Sequence, residues 1–283
     1  MKKFILKATT LVLLLGANIF AKDIGSISNS NWETLHLYHG ENQRGGPFAF
    51  NDTYAEFEFG GRYEWLDLYG YIDFLDVLNS EASDKHKDNN YFVDIEPRIS
   101  IDYLLNKDLS YGALKELFFA FDIYYSDPSP GTQKGLKVLW MGLGSDIDIP
   151  WLGKSGVDFY TRYIEENYGA SNENSFDGYV AHINWFKQLY KFSDSRFLSF
   201  QGYMDYEFGS NLDKTQFEKD YRTSDSLQAY LGLWLHDKKW VAGYGLKAYK
   251  DMTQWKDGEV PFNDCKKTDT TGFGHYFNLG YKF

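Results

Sequence analysis

The 283-residue sequence contains one cysteine, Cys265, and only 6 prolines. After its first twenty residues it has no apolar run long enough to cross a membrane as a helix. A single cysteine excludes an intramolecular disulfide. Basic residues are also scarce, with 29 Lys and Arg against 40 Asp and Glu and a formal net charge of −11. This acidic balance argues against nucleic acid or anionic lipid as a partner.

Residues 1–21 are predicted to be an export signal. Three lysines precede an apolar centre at 11–16, and Ala21 is a suitable cleavage point. Removing this segment takes away three lysines and no acids, so the net charge goes from −11 to −14. The remaining residues, 22–283, are predicted to form a single domain.

Aromatic residues and glycine are abundant, with 23 Tyr, 23 Phe, 8 Trp and 26 Gly. The mean hydropathy is nevertheless −0.48, so the chain is hydrophilic overall. An exported chain of this composition is typical of a transmembrane β-barrel, which needs a polar lumen, aromatic rims and tight turns.

Alternation of polar and apolar residues is clearest in residues 91–102, where even positions are mostly charged and odd positions apolar. This two-residue period is that of a β-strand. Similar segments recur near 52–59, 66–74, 116–124, 157–166, 200–208 and 227–236, and weaker ones near 33–39, 137–147, 178–186, 240–250 and 273–283. They predict an antiparallel all-β barrel of about twelve strands, an even number that allows closure without an edge.

The predicted connections differ in length. Those at Gly60-Gly61 and at 237–239 are very short, which is typical of periplasmic turns. Longer polar connections, typical of extracellular loops, lie around 75–90, 126–136, 210–224 and 251–272. Pro97 cannot donate a ladder hydrogen bond, so we expect a bulge or a slanted pairing there.

The face assigned to the lumen carries many carboxylates and tyrosines, and Arg98, Arg162 and Lys247 are its clearest positive charges. These charges could pair across the lumen and plug it, but a barrel of this size favours a narrow pore. An aromatic and polar lumen suits a neutral solute with a flat ring and hydroxyl groups. Nucleosides and sugars both fit that description.

Catalytic and metal-binding patterns are weak. None of the six histidines is followed by a Ser-Asn-type catalytic run, and the sequence has no H-E-x-x-H motif. Asp146 and Asp148 share a face, but no third acid stands at a suitable spacing for a cation. We therefore expect neither an enzyme nor a metal or other cofactor.

Three stretches carry a more specific signal: Asn51-Asp52-Thr53-Tyr54 leading into Tyr69-Gly70-Tyr71-Ile72-Asp73, Ile95-Glu96-Pro97-Arg98-Ile99-Ser100-Ile101-Asp102, and Met141-Gly142-Leu143-Gly144-Ser145-Asp146-Ile147-Asp148 followed by Asn167-Tyr168-Gly169-Ala170-Ser171-Asn172. In this order and spacing they closely resemble the Tsx family of nucleoside-specific channel-forming outer-membrane proteins. The resemblance spans essentially the whole chain after the predicted signal, including the Gly280-Tyr281-Lys282-Phe283 end.

The resemblance implies a monomeric barrel in the bacterial outer membrane that passes nucleosides and deoxynucleosides by facilitated diffusion. It also implies outer loops that phages or colicins use as a receptor. A less selective porin and a receptor or adhesion barrel with a blocked lumen remain as alternatives. The family's outer-loop run of Arg, aromatic, Gly and Pro is here Arg44-Gly45-Gly46-Pro47, so the aromatic residue is missing. We expect Phe48 and Phe50 to replace it.

Two sets of residues are candidates for solute contact. The candidates for stacking are Phe48, Phe50, Tyr69, Tyr71, Tyr160 and Trp234. The candidates for polar contact are Asp73, Glu96, Arg98, Asp146, Arg162, Glu166 and Asn172. The alternative for the first set is packing within the rims, and for the second it is a salt-bridge lattice that braces the wall.

Overall fold

The computed structural model describes residues 30–86, 91–128, 134–263 and 265–283, and the predicted export signal lies outside them. Twelve antiparallel strands form a closed barrel in which each strand pairs with its neighbours in sequence and β12 returns to β1. The strands are β1 (Ser30–Arg44), β2 (Ala49–Arg62), β3 (Leu66–Phe74), β4 (Tyr91–Ser100), β5 (Leu114–Ser126), β6 (Leu136–Ile149), β7 (Gly153–Asn167), β8 (Ser175–Lys191), β9 (Phe197–Phe208), β10 (Ser226–His236), β11 (Trp240–Lys250) and β12 (Gly272–Lys282). The predicted strand number and closure are confirmed.

Alternating burial shows which face of each strand points inward. In β1, Thr34 and His36 are 5% and 3% exposed, whereas Leu35 and Leu37 are 44% and 51% exposed. Polar side chains are therefore buried inside the barrel and apolar ones cover its outside. This inverts the pattern of a soluble sandwich and matches a barrel surrounded by lipid.

The two ends of the barrel differ in their connections. At one end, here called the short-turn end, four connections are 63–65, 150–152, 192–196 and 237–239, and the fifth, 101–113, contains the short helix α1 (Ile101–Leu105). The opposite, long-loop end carries 75–90, 127–135, 209–225 and 251–271, as predicted, together with 45–48 and 168–174. Helix α2 (Gln216–Tyr221) and a 3-10 turn at Met252–Gln254 lie there. No helix in the described ranges is long and apolar enough to span a bilayer.

The turn predicted at Gly60-Gly61 is wrong. Both glycines lie within β2, paired with Trp32 and Asn31 of β1, and the turn follows at 63–65. A Cβ at Gly60 would lie 2.7 Å from the Trp32 ring. This glycine therefore serves the close approach of an indole rather than a reversal of the chain.

The segment predicted to run from 91 to 102 ends as a strand at Ser100. The Ser100 hydroxyl accepts the N–H of Tyr103 at 3.1 Å, which caps α1. Pro97 stands opposite Leu68 of β3. On the other side, pairing with β5 stops after Ile95 and resumes at Arg98 in the same register. The wall thus accommodates the proline by omitting pairs on one side, without a bulge.

Candidate functional site

Aromatic rings cross five neighbouring strands on the inner wall. We call Tyr69, Tyr71, Phe92, Tyr124, Trp140 and Tyr160 the first aromatic arc. Successive ring centroids are 6.2, 6.0, 6.0, 4.7 and 5.8 Å apart, from β3 to β7. The arc is continuous because alternation places one or two inward-facing rings on each strand and register brings rings of neighbouring strands next to one another.

A second aromatic cluster lies on the inner faces of β1, β2 and β10. Tyr38 and Tyr54, directly opposite each other on β1 and β2, stack with centroids 5.0 Å apart and planes at 9°. Trp234 of β10 meets Tyr38 edge-on at 6.3 Å, and all three are less than 10% exposed. Glycine makes room for this ring, because a Cβ at Gly243 would lie 2.8 Å from it.

Carboxylates and other polar side chains lie on the inner wall beside these rings. The Glu58 carboxylate accepts the Tyr69 hydroxyl at 2.9 Å and lies 3.0 Å from His36 Nε2. The Asp205 carboxylate contacts His182 Nδ1 at 2.6 Å and accepts the Gln228 amide at 2.9 Å. Such groups can bind hydroxyls and base edges as donors or acceptors.

Lys247 is the inward-facing ammonium on β11. Its Nζ lies 5.4 Å from the ring centroid of Tyr203 and 5.5 Å from that of Tyr249. Cation–π contact on both sides holds the amine in the lumen among acidic side chains.

At the short-turn end, Arg98 joins four strands. Its guanidinium lies 2.5 Å from Asp67, 2.7 Å from Asp146 and 3.6 Å from Asp158. It also stacks over the Phe118 ring at 4.3 Å. Arg98 and Asp146 were both candidates for solute contact, and the structure brings them together as an ion-pair lattice of the wall.

At the long-loop end, Arg162 has a comparable role. Its Nε donates to the Asp177 carbonyl oxygen at 2.9 Å, and its Nη1 binds the Glu207 carboxylate. Asn172, another candidate, donates to Asp177 at 2.6 Å and is 1% exposed. Its amide is thus bound within the structure of the loop.

Four of the remaining candidates lie in two places, on the lumen wall and at the long-loop end. Asp73 and Glu96 face the lumen beside Glu56 and Tyr69, their partners on the neighbouring strands. Phe48 and Phe50 lie at the long-loop end, where Phe48 packs against Phe262 at 6.0 Å and lies under the Lys266 ammonium at 4.1 Å.

Glu166 departs from the predicted face. A register shift skips Glu165, so that Ile164 pairs with Val138 and Glu166 pairs with Lys137. The Lys137 ammonium lies 2.5 Å from the Glu166 carboxylate. Because paired residues share a face and Val138 points inward, Glu166 lies on the opposite side of the wall from Arg162.

Several lumen residues were missing from the candidates. Tyr38, Tyr54, Phe92, Tyr124 and Trp140 all lie on inward faces. Alternation assigned some of these residues to the lumen face, but it does not show which residues of neighbouring strands lie next to each other. Only register between strands shows that these rings touch.

A serine–histidine contact lies at the short-turn end. Ser199 Oγ lies 2.8 Å from His236 Nε2, and the other imidazole nitrogen lies 3.2 Å from the Lys282 ammonium. A catalytic histidine of this type is oriented by a carboxylate or amide at that position. The lysine places a positive charge there instead, which opposes formation of an imidazolium.

Comparison with known proteins gives a consistent result. The family described as "Nucleoside-specific channel-forming protein, Tsx" matches residues 27–283. A Tsx protein of Klebsiella pneumoniae is 34% identical over 304 residues, covering 100% of both chains. The outer membrane protein OmpK of Vibrio parahaemolyticus serotype O3:K6 is 37% identical over 241 residues, covering 84% of this chain and 82% of OmpK.

Proposed function

Because the chain belongs to the Tsx family of nucleoside-specific channel-forming proteins of the outer membrane, we propose that its own lumen passes nucleosides and deoxynucleosides by facilitated diffusion. The first aromatic arc is the observation that carries this proposal. It offers stacking surface on five consecutive strands, with ring centroids 4.7 to 6.2 Å apart. A base that leaves one ring can therefore stack on the next ring after moving only about 5 to 6 Å.

The strength of each contact suits passage rather than capture. Base–aromatic stacking contributes about 1–3 kcal/mol per base. A solute held by one or two such contacts dissociates readily, and a channel needs sites that bind and release. Several weak sites in series also limit flux at high solute concentration, so transport should saturate.

Polar groups beside the arc can bind the sugar of a nucleoside, while the aromatic rings stack on its base. Tyr69 shares a hydrogen bond with Glu58, and Tyr124 donates to Asp122. A sugar hydroxyl can replace either tyrosine as the donor to its carboxylate. The lumen thus combines faces for a base with acceptors for a ribose or deoxyribose.

The two ends of the lumen have different roles in the proposal. Phe48 and Phe50 stand at the long-loop end, where a solute from outside first meets aromatic rings. Arg98 and its three carboxylate partners lie at the short-turn end and narrow the exit. We place the long loops outside the cell because barrels of this class have short periplasmic turns.

We also propose that the barrel acts as a monomer in outer-membrane lipid and that its long loops serve as a receptor surface. A single copy suffices, because the wall closes on itself through β1 and β12. The outward leucines and phenylalanines contact outer-membrane lipid, with Trp240, Tyr281 and Phe283 close together at the short-turn end. The long loops are the surface available to a phage or a colicin.

Uptake into liposomes tests the function. Purified barrel is reconstituted, and uptake of labelled thymidine and adenosine is compared with uptake of a sugar and an amino acid. Saturable nucleoside flux that exceeds both controls and is blocked by unlabelled nucleoside is expected. Equal flux of all four solutes would establish a less selective porin, and no flux would establish a receptor barrel with a blocked lumen.

A further inference from the structure

Three carboxylates meet on the inner wall where β4 and β5 lose their pairing. Asp94 and Glu96 lie on β4, and Asp122 lies on β5. One oxygen from each lies within 4.8 Å of the other two. Asp94 and Asp122 are each 3% exposed, so these charges are largely withdrawn from bulk solvent.

Two of the oxygens lack a donor. Oδ1 of Asp94 and Oδ1 of Asp122 are buried, and neither has a hydrogen-bond partner among the described residues. The other oxygen of Asp122 accepts the Tyr124 hydroxyl. Because a buried acceptor without a partner is costly and uncommon, these atoms indicate a ligand that the protein itself does not supply.

Two other acidic groups of the lumen already have basic partners. Asp146 contacts Arg98 and Lys154, and Asp205 contacts His182. A second group, formed by His36, Glu56 and Glu58, has comparable spacing. In that group, however, His36 Nε2 lies 3.0 Å from the Glu58 carboxylate, so two of the three potential ligands already form a hydrogen bond with each other.

We propose that Asp94, Glu96 and Asp122 bind a divalent cation of the calcium class. The ligand set consists only of carboxylate oxygens, which hard cations prefer over softer metals that seek nitrogen or sulfur. With calcium–oxygen distances of about 2.4 Å, two ligand oxygens on one ion can lie at most about 4.8 Å apart, and all three oxygens lie within that limit of one another. Lumen water completes the coordination shell.

The cation relieves the repulsion among three carboxylates. It also adds positive charge beside Tyr124, a member of the first aromatic arc. Binding of the ion does not depend on which solute passes through the lumen. Absence of nucleoside transport would therefore not contradict the cation site, and absence of cation binding would not contradict nucleoside transport.

Terbium luminescence tests the site in the folded barrel. Tb³⁺ resembles Ca²⁺ in its oxygen ligands, and Tyr124 and Trp140, whose ring centroids are 4.7 Å apart, lie beside Asp122 as sensitisers. We expect saturable emission on excitation of these rings, and displacement of the ion by Ca²⁺. Emission that fails to saturate, or that Ca²⁺ does not displace, would overturn the proposal.

Matched variants distinguish this site from other acidic positions. Asp122→Asn and Glu96→Gln are expected to weaken Tb³⁺ binding at least about tenfold. Glu58→Gln removes the same charge from a carboxylate that already has partners, and it should change Tb³⁺ binding less than about twofold. Equal losses in all three variants would refute a specific site.

Folding is checked in every variant by the mobility difference between heated and unheated samples in gel electrophoresis. If Asp122→Asn does not fold, Glu96→Gln remains decisive, because Glu96 is half-buried and is not paired to β5. Unchanged Tb³⁺ affinity in folded Glu96→Gln would then overturn the proposal.

Discussion

Arg98→Met is expected to lower the free energy of unfolding of the barrel by about 3–5 kcal/mol, the usual cost of removing one partner from a buried ion pair. The Arg98 side chain is 12% exposed and lies within 2.5 to 3.6 Å of three carboxylates. Without the guanidinium, Asp67, Asp146 and Asp158 repel each other in a setting with little water. Methionine keeps an apolar stem over Phe118, so the loss reflects charge more than volume.

Lys154→Met is the matched control. The Lys154 ammonium contacts the same Asp146 carboxylate at 2.9 Å, but its side chain is 70% exposed. Exposed pairs contribute little, so this variant should lose less than about 1 kcal/mol. Adding Asp158→Asn to Arg98→Met removes one repelling charge and should recover part of the loss.

Urea unfolding of the barrel in phospholipid vesicles, followed by tryptophan fluorescence, measures these differences. Unfolding and refolding curves must coincide for the free energies to be compared. Equal losses for Arg98→Met and Lys154→Met would refute the reasoning. A loss of unfolding free energy below about 1 kcal/mol for Arg98→Met would also refute the reasoning, because the lattice would then contribute no more than an exposed ion pair.

Three further predictions concern the lumen, the loops and the orientation. Tyr71→Leu should weaken nucleoside affinity about 5- to 150-fold, the equivalent of about 1–3 kcal/mol of stacking, whereas Phe159→Leu on the outward face should leave saturation of flux unchanged. Burial by itself raises the pKa of the Glu218 carboxyl. Hydrogen bonds to this carboxylate, of which those from Ser171 contribute most, lower the pKa by more, so the pKa lies below its usual range. The resulting stabilisation is complete above the usual range of the pKa and is lost as pH falls through the lowered pKa. Protection of the amides in 209–225, measured relative to the intrinsic exchange rate at each pH, should therefore fall in acid, and Glu218→Gln should remove that pH dependence. The exposed thiol of Cys265 should react with a membrane-impermeant maleimide on intact cells, and reaction only after permeabilisation would place the long loops in the periplasm.

The alternation of residue types was sufficient to predict the wall of the barrel. An inward carboxylate and an outward leucine have opposite preferences for water and lipid, so each strand reveals its own two faces. The strand pattern from β1 to β12 and the positions of the long loops followed from this. Gly60-Gly61 misled because glycine permits both a tight turn and the close packing of Trp32, and only the packing occurs here.

The candidate site was predicted in part. Tyr69, Tyr71, Asp73 and Glu96 lie on the lumen face to which alternation assigned them. Glu166 does not, because the skipped pairing at Glu165 reverses the faces beyond it, and nothing in the local residue pattern marks that bulge.

The sequence by itself determined a twelve-stranded barrel with inward polar and aromatic side chains, since the two-residue period and the composition are local properties of the chain. Tertiary structure decided which inward side chains meet. Arg98 and Asp158 are distant in sequence, as are Tyr38 and Trp234, and each pair touches only through closure and register of the barrel. Those quantities depend on hydrogen bonds between strands, which bring distant segments together and which no single segment encodes.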